Sequence, residues 1–105
     1  MADYTAVLTA LADPTRRAIF ERLAQSPSPV GELARELPVS RPAVSQHLKA
    51  LKSADLVTDH PAGTRRIYSV DPAGLAAIRD YFDQFWQQSL ARFQSAASQP
   101  PQEET

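Results

Sequence analysis

Residues 40–54 read SRPAVSQHLKALKSA, and this stretch decides the fold. At 100° per residue, the apolar side chains of Val44, Leu48 and Leu51 fall on one face of a helix. The serine that opens the stretch is a favourable N-cap, and a proline is tolerated in the first helical turn that follows it. We therefore predict an amphipathic helix that starts after this serine and reaches about Ala54.

Three shorter helices are predicted before this one. The first spans residues 4–12, and the second spans residues 14–25 with Asp13 as its N-cap and a proline in first position. The third spans residues 30–37 and ends at a proline. About three residues separate the third helix from the fourth, which is the spacing of a helix-turn-helix.

A β-hairpin is predicted after the fourth helix. Residues 56–60 and 64–70 alternate in polarity and are rich in β-branched side chains, and residues 61–63, Pro-Ala-Gly, are predicted to form the turn between them. A hairpin directly after a helix-turn-helix is the arrangement of a winged helix-turn-helix.

The last predicted element is a long helix. Asp71-Pro72 repeats the cap-and-proline start, and the helix runs to about Ala96. Residues 98–105 are polar and rich in proline, so they are predicted to be a disordered tail, and residues 1–97 form one domain. The predicted fold class is mainly α with a small β-hairpin: a winged helix-turn-helix with an additional helix at each end.

The outward face of the fourth helix is polar and basic. Arginine can bond guanine at two positions, glutamine can bond adenine at two positions, and serine or lysine can bond a base or a phosphate. Because the N-terminal part of such a helix enters the major groove, Arg41, Ser45 and Gln46 are the candidate base readers. Lys49 and Lys52 lie further along and are better placed for the DNA backbone.

The predicted hairpin tip, or wing, is also basic. Successive strand residues point to opposite faces, so Arg65 and Arg66 cannot both face DNA; one is expected to reach it and the other to brace the body. Gly63 supplies the backbone freedom that the turn requires. The full set of candidate DNA-binding residues is Ser40, Arg41, Ser45, Gln46, Lys49, Lys52, Thr64, Arg65 and Arg66.

The charge is unevenly distributed. The chain carries a net charge of −1, but residues 40–70 contain five basic residues and two aspartates and therefore carry +3. A local basic surface on a mildly acidic body suits a protein that binds double-stranded DNA without indiscriminate association.

The last helix carries a broad aromatic face that one small subunit cannot easily cover, so we expect it and the first helix to be dimerisation helices. Packing within one subunit and a pocket for an apolar effector are the alternatives. The predicted homodimer interface comprises Tyr4, Val7, Leu8, Leu11, Leu75, Ile78, Phe82, Phe85 and Trp86, within a stripe that continues to Tyr81, Leu90 and Phe93.

Several stretches resemble a known family. Residues 10–19, ALADPTRRAI, resemble the N-terminal signature of ArsR-type repressors, as do VSQHLKAL at residues 44–51, DLV at residues 55–57 and the wing at residues 63–68. The resemblance covers residues 4–93. It implies a homodimer that represses transcription, often of its own operon, and releases DNA on an effector signal. It also implies that Ser45, Gln46 and Lys49 lie in the major groove.

Two departures from the family argue against a metal sensor. Metal-sensing members carry a cysteine pair at the start of the third helix, where this chain reads PVGEL at residues 29–33, or ligands on the last helix, where residues 71–95 contain no histidine. The chain has no cysteine, and His47 and His60 lack ligand spacing. We predict no metal site and no cofactor, and His47 is interpreted as a partly buried packing residue.

Other function classes lack support. The sequence has no catalytic motif and no phosphate-binding glycine loop, so we expect no enzyme and no catalytic residues. It has no signal peptide and no membrane-spanning stretch, which predicts a cytoplasmic protein without a membrane partner. The remaining alternative is a winged helix that docks proteins without reading DNA sequence. No effector is identified.

Overall fold

A computed structural model describes residues 2–98, and within them the helices follow the predicted order. The elements are α1 (Tyr4–Ala12), α2 (Pro14–Gln25), β1 (Ser28–Pro29), α3 (Val30–Glu36), α4 (Arg41–Ser53), β2 (Val57–Ala62), β3 (Arg65–Val70) and α5 (Pro72–Ser98). Helices α3 and α4 form the helix-turn-helix, and β2 and β3 form the wing. The winged helix-turn-helix prediction is confirmed.

Local capping explains where the helices begin. The Asp13 carboxylate accepts a hydrogen bond from the backbone N–H three residues on at 3.0 Å, and the Ser40 hydroxyl does the same at 3.4 Å. Asp71 accepts from the backbone N–H two residues on at 2.9 Å. Each of these helices has a proline in its first turn, where the missing N–H has no helical partner to lose.

The core lies where α2, α3 and α4 pack against one another and against the sheet. The buried face of α4 is the predicted one, since Val44, Leu48 and Leu51 are fully enclosed. The other fully enclosed apolar side chains are Val7, Ile19, Leu33, Leu56 and Val57. Truncating a buried leucine of this kind to alanine costs about 2–5 kcal/mol, so this cluster fixes the orientation of α4.

The sheet has a third strand that the sequence analysis did not predict. The strand order is β1-β3-β2, all antiparallel, and Ser28 pairs with Tyr68 while Pro29 pairs with Ile67. Two residues are too few to show the alternation in polarity that predicts a strand, and one of the two is a proline. The wing is therefore attached to the body through β3, which pairs on both sides.

The predicted turn of the wing was placed too early. Pairing continues through Pro61 with Arg66 and Ala62 with Arg65, so the turn is Gly63-Thr64 rather than residues 61–63. Gly63 has φ 65°, as the first central residue of a type II′ hairpin turn requires. Pro61 is tolerated within a strand because β2 lies at the edge of the sheet, where a missing N–H breaks no necessary bond.

Helix α5 is longer than predicted. Its 27 residues extend over about 40 Å and reach Ser98, beyond the predicted end at Ala96 and into the segment assigned to the tail. The remainder of the predicted disordered tail, residues 99–105, lies outside the described residues. Helix α1 packs along α5, where the rings of Tyr4 and Tyr81 stack with centroids 4.1 Å apart.

Candidate nucleic-acid interface

The outward face of α4 is free of its own subunit. Arg41, Ser45, Gln46, Lys49 and Lys52 are all exposed, on the side of the helix opposite the buried leucines. Since the core fixes the helix axis, these side chains form one row that is presented without rearrangement of the backbone. Guanidinium, hydroxyl, amide and ammonium groups in such a row can bond base edges and phosphates.

The two histidines lie on different elements, α4 and β2. His47 is half-buried on α4, as expected of a packing residue, and His60 is exposed on β2. Within residues 2–98 no three side chains of the metal-ligating types come together.

The pKa of Asp13 lies below its ordinary value, chiefly because its carboxylate accepts a hydrogen bond from the backbone N–H of Arg16. The charge of His47 contributes less.

The wing tip carries its basic residues on two faces. Thr64, Arg65 and Arg66 are exposed, and the register places Arg65 opposite Ala62 and Arg66 opposite Pro61. Neighbouring residues on a strand point to opposite faces, so the two arginines have different surroundings.

Arg66 and Lys52 share one carboxylate, that of Asp59. The Arg66 Nε donates to Asp59 Oδ2 at 2.6 Å, and the Lys52 Nζ lies 2.6 Å from Asp59 Oδ1. The Asp59 side chain is only 6% exposed, whereas both cations are about half exposed. We call these three residues the Asp59 cluster. It ties the last turn of α4 to both strands of the wing.

The electrostatics of the Asp59 cluster favour the ionised carboxylate. Hydrogen bonds from Lys52 and then from Arg66 hold the pKa of Asp59 below its ordinary value, although burial acts in the opposite direction. Asp59 was not among the predicted site residues because its contacts depend on the hairpin register and on a third element. The one sequence signal was its position opposite a basic strand, which becomes visible only when the turn is placed correctly.

A basic cleft lies between α3, the start of α4 and the wing. Its volume is about 430 Å³, and four arginines line it, namely Arg35, Arg41, Arg65 and Arg66. Glu32 is the acidic residue of the lining. Arg35 was not among the predicted site residues, although it lies on α3 and the first helix of a helix-turn-helix commonly crosses the DNA backbone.

The predicted dimer surface is largely exposed. Trp86 is 63% exposed and Phe93 is 72% exposed, which is unusual for aromatic side chains on one subunit. The other exposed large apolar side chains are Tyr4, Leu8, Leu75, Phe82 and Phe85. They form a nearly continuous apolar strip along α5 and the start of α1.

Three residues of the predicted interface differ from the rest. Val7 is fully buried in its own subunit, so its assignment to the interface was wrong: a partner helix cannot reach it. The helical period placed it beside the exposed residues, but α1 turns this position towards the core. Leu11 and Ile78 are half-buried against the same core and keep only part of their surface available.

Across residues 2–98, no helix combines the length and the apolar character that a membrane span needs.

Comparison with known sequences places the chain among transcriptional regulators. Residues 11–60 match the family described as a helix-turn-helix domain. The HTH-type transcriptional regulator Rv2034 of Mycobacterium tuberculosis is 68% identical over 84 residues, which are 80% of this chain and 78% of that protein. The transcriptional repressor SdpR of Bacillus subtilis is 37% identical over 65 residues, which are 62% of this chain and 72% of that protein.

Solved structures with the same fold are similar in sequence as well. An ArsR-like transcriptional regulator from Rhodococcus sp. RHA1 matches with a TM-score of 0.75 and 30% identity, covering 92% of this chain and 94% of its own. The homodimeric winged helix-turn-helix DNA-binding domain Mb0332 of Mycobacterium bovis, a possible ArsR-family regulator, matches with a TM-score of 0.61 and 27% identity. That match covers 96% of this chain and 85% of the other.

Proposed function

Since the chain belongs to the ArsR family of winged helix-turn-helix transcriptional regulators, we propose that it represses transcription as a homodimer bound to an inverted-repeat operator. It is a DNA-binding regulator, in keeping with relatives that are named transcriptional regulators. The direction of regulation follows the relative named a repressor. The observation that carries the proposal is the exposed polar row of α4 beside the basic wing tip.

In the proposed complex, α4 lies in the major groove. Ser45 and Gln46 are at the exposed N-terminal half of the helix, and they bond base edges there. Arg41, in the first turn, bonds a phosphate or a groove edge. Lys49 lies one turn further on and contacts the DNA backbone. Sequence specificity therefore depends on Ser45 and Gln46, two polar side chains on a helix that the core holds in place.

The cleft beside α4 accommodates the DNA backbone. Arg35 and Arg41 approach it from the helix-turn-helix, and Thr64 and Arg65 approach it from the wing. Ser40, which caps α4, adds a hydroxyl at the same end of the helix. Of the two adjacent wing arginines, we assign Arg65 to DNA and Arg66 to the brace, because Arg66 is paired with Asp59.

The homodimer forms through α1 and α5. Burial of the exposed strip of Leu75, Phe82, Phe85 and Trp86 against a second copy removes apolar surface from water, which favours association. The similarity to a homodimeric domain supports this assignment. A two-fold dimer presents two α4 helices to successive major grooves about 34 Å apart, which requires an inverted repeat.

DNA binding and dimerisation are both assigned to one domain, residues 1–97. The proposed site of action is cytoplasmic DNA, and neither an enzymatic activity nor a metal is part of the proposal. Protein docking without DNA recognition is the competing function. A docking helix would present exposed apolar anchors, whereas the outward face of α4 is polar and basic.

A mobility-shift series at increasing salt tests the proposal, using a duplex from upstream of the chain's own gene and a scrambled duplex of equal length. We expect tighter binding to the upstream duplex, a footprint with two symmetric halves, and a steep fall in affinity with salt. Equal affinity for the two duplexes at every salt concentration would exclude sequence-specific recognition and favour the docking module.

A further inference from the structure

We propose that Asp59 is a positioning residue for DNA recognition, one that fixes the wing beside α4 and keeps the charges of Lys52 and Arg66 from non-specific DNA. The inference rests on the proposed function, since it concerns how that same surface discriminates between DNA sequences. The Asp59 side chain is almost fully buried beside Lys52 and Arg66, so its role is to position these two cations and not to contact DNA.

The geometry of the Asp59 cluster joins three elements at one group. Lys52 belongs to the last turn of α4, Asp59 to β2 and Arg66 to β3. Each carboxylate oxygen has its own cationic partner at 2.6 Å. A carboxylate that is only 6% exposed is costly without partners, so both pairs are expected to persist in solution.

The position of the cluster makes it a brace for the wing. The turn at Gly63-Thr64 is the open end of the wing, where a Cβ added at Gly63 would meet no atom within 4 Å. The side-chain contacts of Asp59 with Lys52 therefore connect the wing directly to the recognition helix. Without them, the distance between Arg65 and the reading side chains of α4 is less well defined.

The cluster also divides the cations of the DNA-binding surface into two groups. Lys52 and Arg66 have a carboxylate partner, whereas Arg35, Arg41, Lys49 and Arg65 form no ion pair within residues 2–98. Binding to DNA of any sequence is driven by cations that replace counterions at phosphates. The single carboxylate cancels one of these two positive charges and holds both side chains beside it. This lowers the sequence-independent attraction and leaves the base contacts of α4 a larger share of the affinity.

The test uses Asp59→Asn, which keeps the shape of the side chain and removes its charge, with Glu21→Gln as the matched control. Glu21 is exposed on α2, forms no ion pair within the described residues, and its replacement changes the net charge by the same amount. Dissociation constants are measured between 50 and about 300 mM salt on a duplex selected by the wild-type protein from a random library, and on a scrambled duplex.

We expect Asp59→Asn to bind the scrambled duplex more tightly and to steepen its salt dependence by about one ion, since the carboxylate cancels one positive charge. The ratio of specific to non-specific affinity falls at the same time, and Glu21→Gln changes neither quantity. A loss of affinity for both duplexes with an unchanged salt slope would overturn the inference, because that is the effect of a merely structural residue.

A second pair of variants keeps the inference falsifiable if Asp59→Asn does not fold. In the otherwise native chain, Lys52→Gln and Arg66→Gln are expected to leave the salt slope on the scrambled duplex unchanged and to lower the ratio of specific to non-specific affinity. If either variant flattens that slope by about one ion, the cation already contacts phosphate and the inference is wrong. If the wild-type protein selects no sequence at all, the proposed function fails, and the inference fails with it.

Discussion

The backbone N–H of Gly74, in the first turn of α5, donates a hydrogen bond to the carbonyl oxygen of Asp55 at 2.8 Å. Asp55 follows Ala54, the C-cap of α4, and has φ 59°, a left-handed conformation that reverses the chain there. The proposed dimerisation helix therefore begins against the turn that follows the proposed recognition helix. A Cβ at position 74 would lie 2.6 Å from that same oxygen.

This contact predicts that Gly74→Ala is destabilising. The added carbon meets backbone rather than a flexible side chain, so α5 and the turn at Asp55 must move apart, at a cost of about 1–3 kcal/mol. For a domain of this size, each kcal/mol lowers Tm by about 4–8 °C. Thermal unfolding followed by circular dichroism measures the change.

Gly31→Ala is the matched control for Gly74→Ala. It lies in α3, and a Cβ there would be 3.9 Å from the nearest side-chain atom, which is an ordinary contact. The same substitution is expected to be neutral or to stabilise by up to about 1 kcal/mol through helix propensity. Equal Tm values for the two variants would contradict the close packing of α5 on Asp55.

The exposed strip of α5 predicts the assembly state. Replacing Phe85 and Trp86 together with glutamine removes the centre of the proposed interface, so we expect monomers or unfolded chains by sedimentation. Gln87→Ser, on the polar side of the same helix, should leave the dimer intact. A wild-type protein that sediments as a monomer at micromolar concentration would refute the interface.

The ion pairs predict how stability depends on pH. The pKa of Asp59 is depressed in the folded chain, so its contribution is present above the ordinary value of 3.8 and is lost as the pH falls through the lower folded value. Asp13 and Glu36 have depressed pKa values as well and act in the same direction. Stability at pH 5–7 should therefore change little from these three groups and fall in more acidic solution.

Asp59→Asn isolates one contribution to this acid transition. Its free energy of unfolding, from urea titrations at several pH values, should depend less steeply on pH below 4 than that of the wild-type protein. Identical acid profiles would show that the carboxylate is not paired in solution.

The absence of cysteine predicts that zinc has no effect on DNA binding. Titration with zinc should leave the affinity for the selected duplex unchanged, and calorimetry should detect no stoichiometric site. A tight site that alters DNA affinity would show that ligands other than the family's cysteines and last-helix histidines have been recruited.

Much of the fold was predictable because its signals are local. Asp13, Ser40 and Asp71 begin helices through their own side chains, each beside a proline, and the buried face of α4 follows from a single period. The two-residue strand β1 escaped prediction because its partner, β3, lies almost 40 residues away. Pro61 was predicted to lie in the turn because proline is disfavoured inside a strand. It is accepted in β2 because β2 is an edge strand, and the strand order is a property of the whole sheet.

The candidate site was predictable to a lesser extent. Composition selected the polar row of α4 and the wing arginines, and the structure places all of them at the surface. Composition alone does not reveal that Lys52 and Arg66 share the Asp59 carboxylate, because that contact joins three elements. Similarly, Val7 has the same residue type and helical phase as an interface residue, and only packing distinguishes a position that faces the subunit's own core.

The central claim is that Ser45 and Gln46 read the operator while Arg65 contacts its phosphates. The most direct measurement is the ratio of specific to non-specific affinity for Gln46→Ala and Arg65→Ala. We predict that Gln46→Ala loses about 1–3 kcal/mol on the selected duplex and much less on the scrambled one, so its ratio falls. Arg65→Ala should weaken both and flatten the salt dependence by about one ion. An unchanged ratio for Gln46→Ala together with a changed one for Arg65→Ala would contradict the assignment, and no effect of either variant on DNA would contradict DNA recognition by this surface.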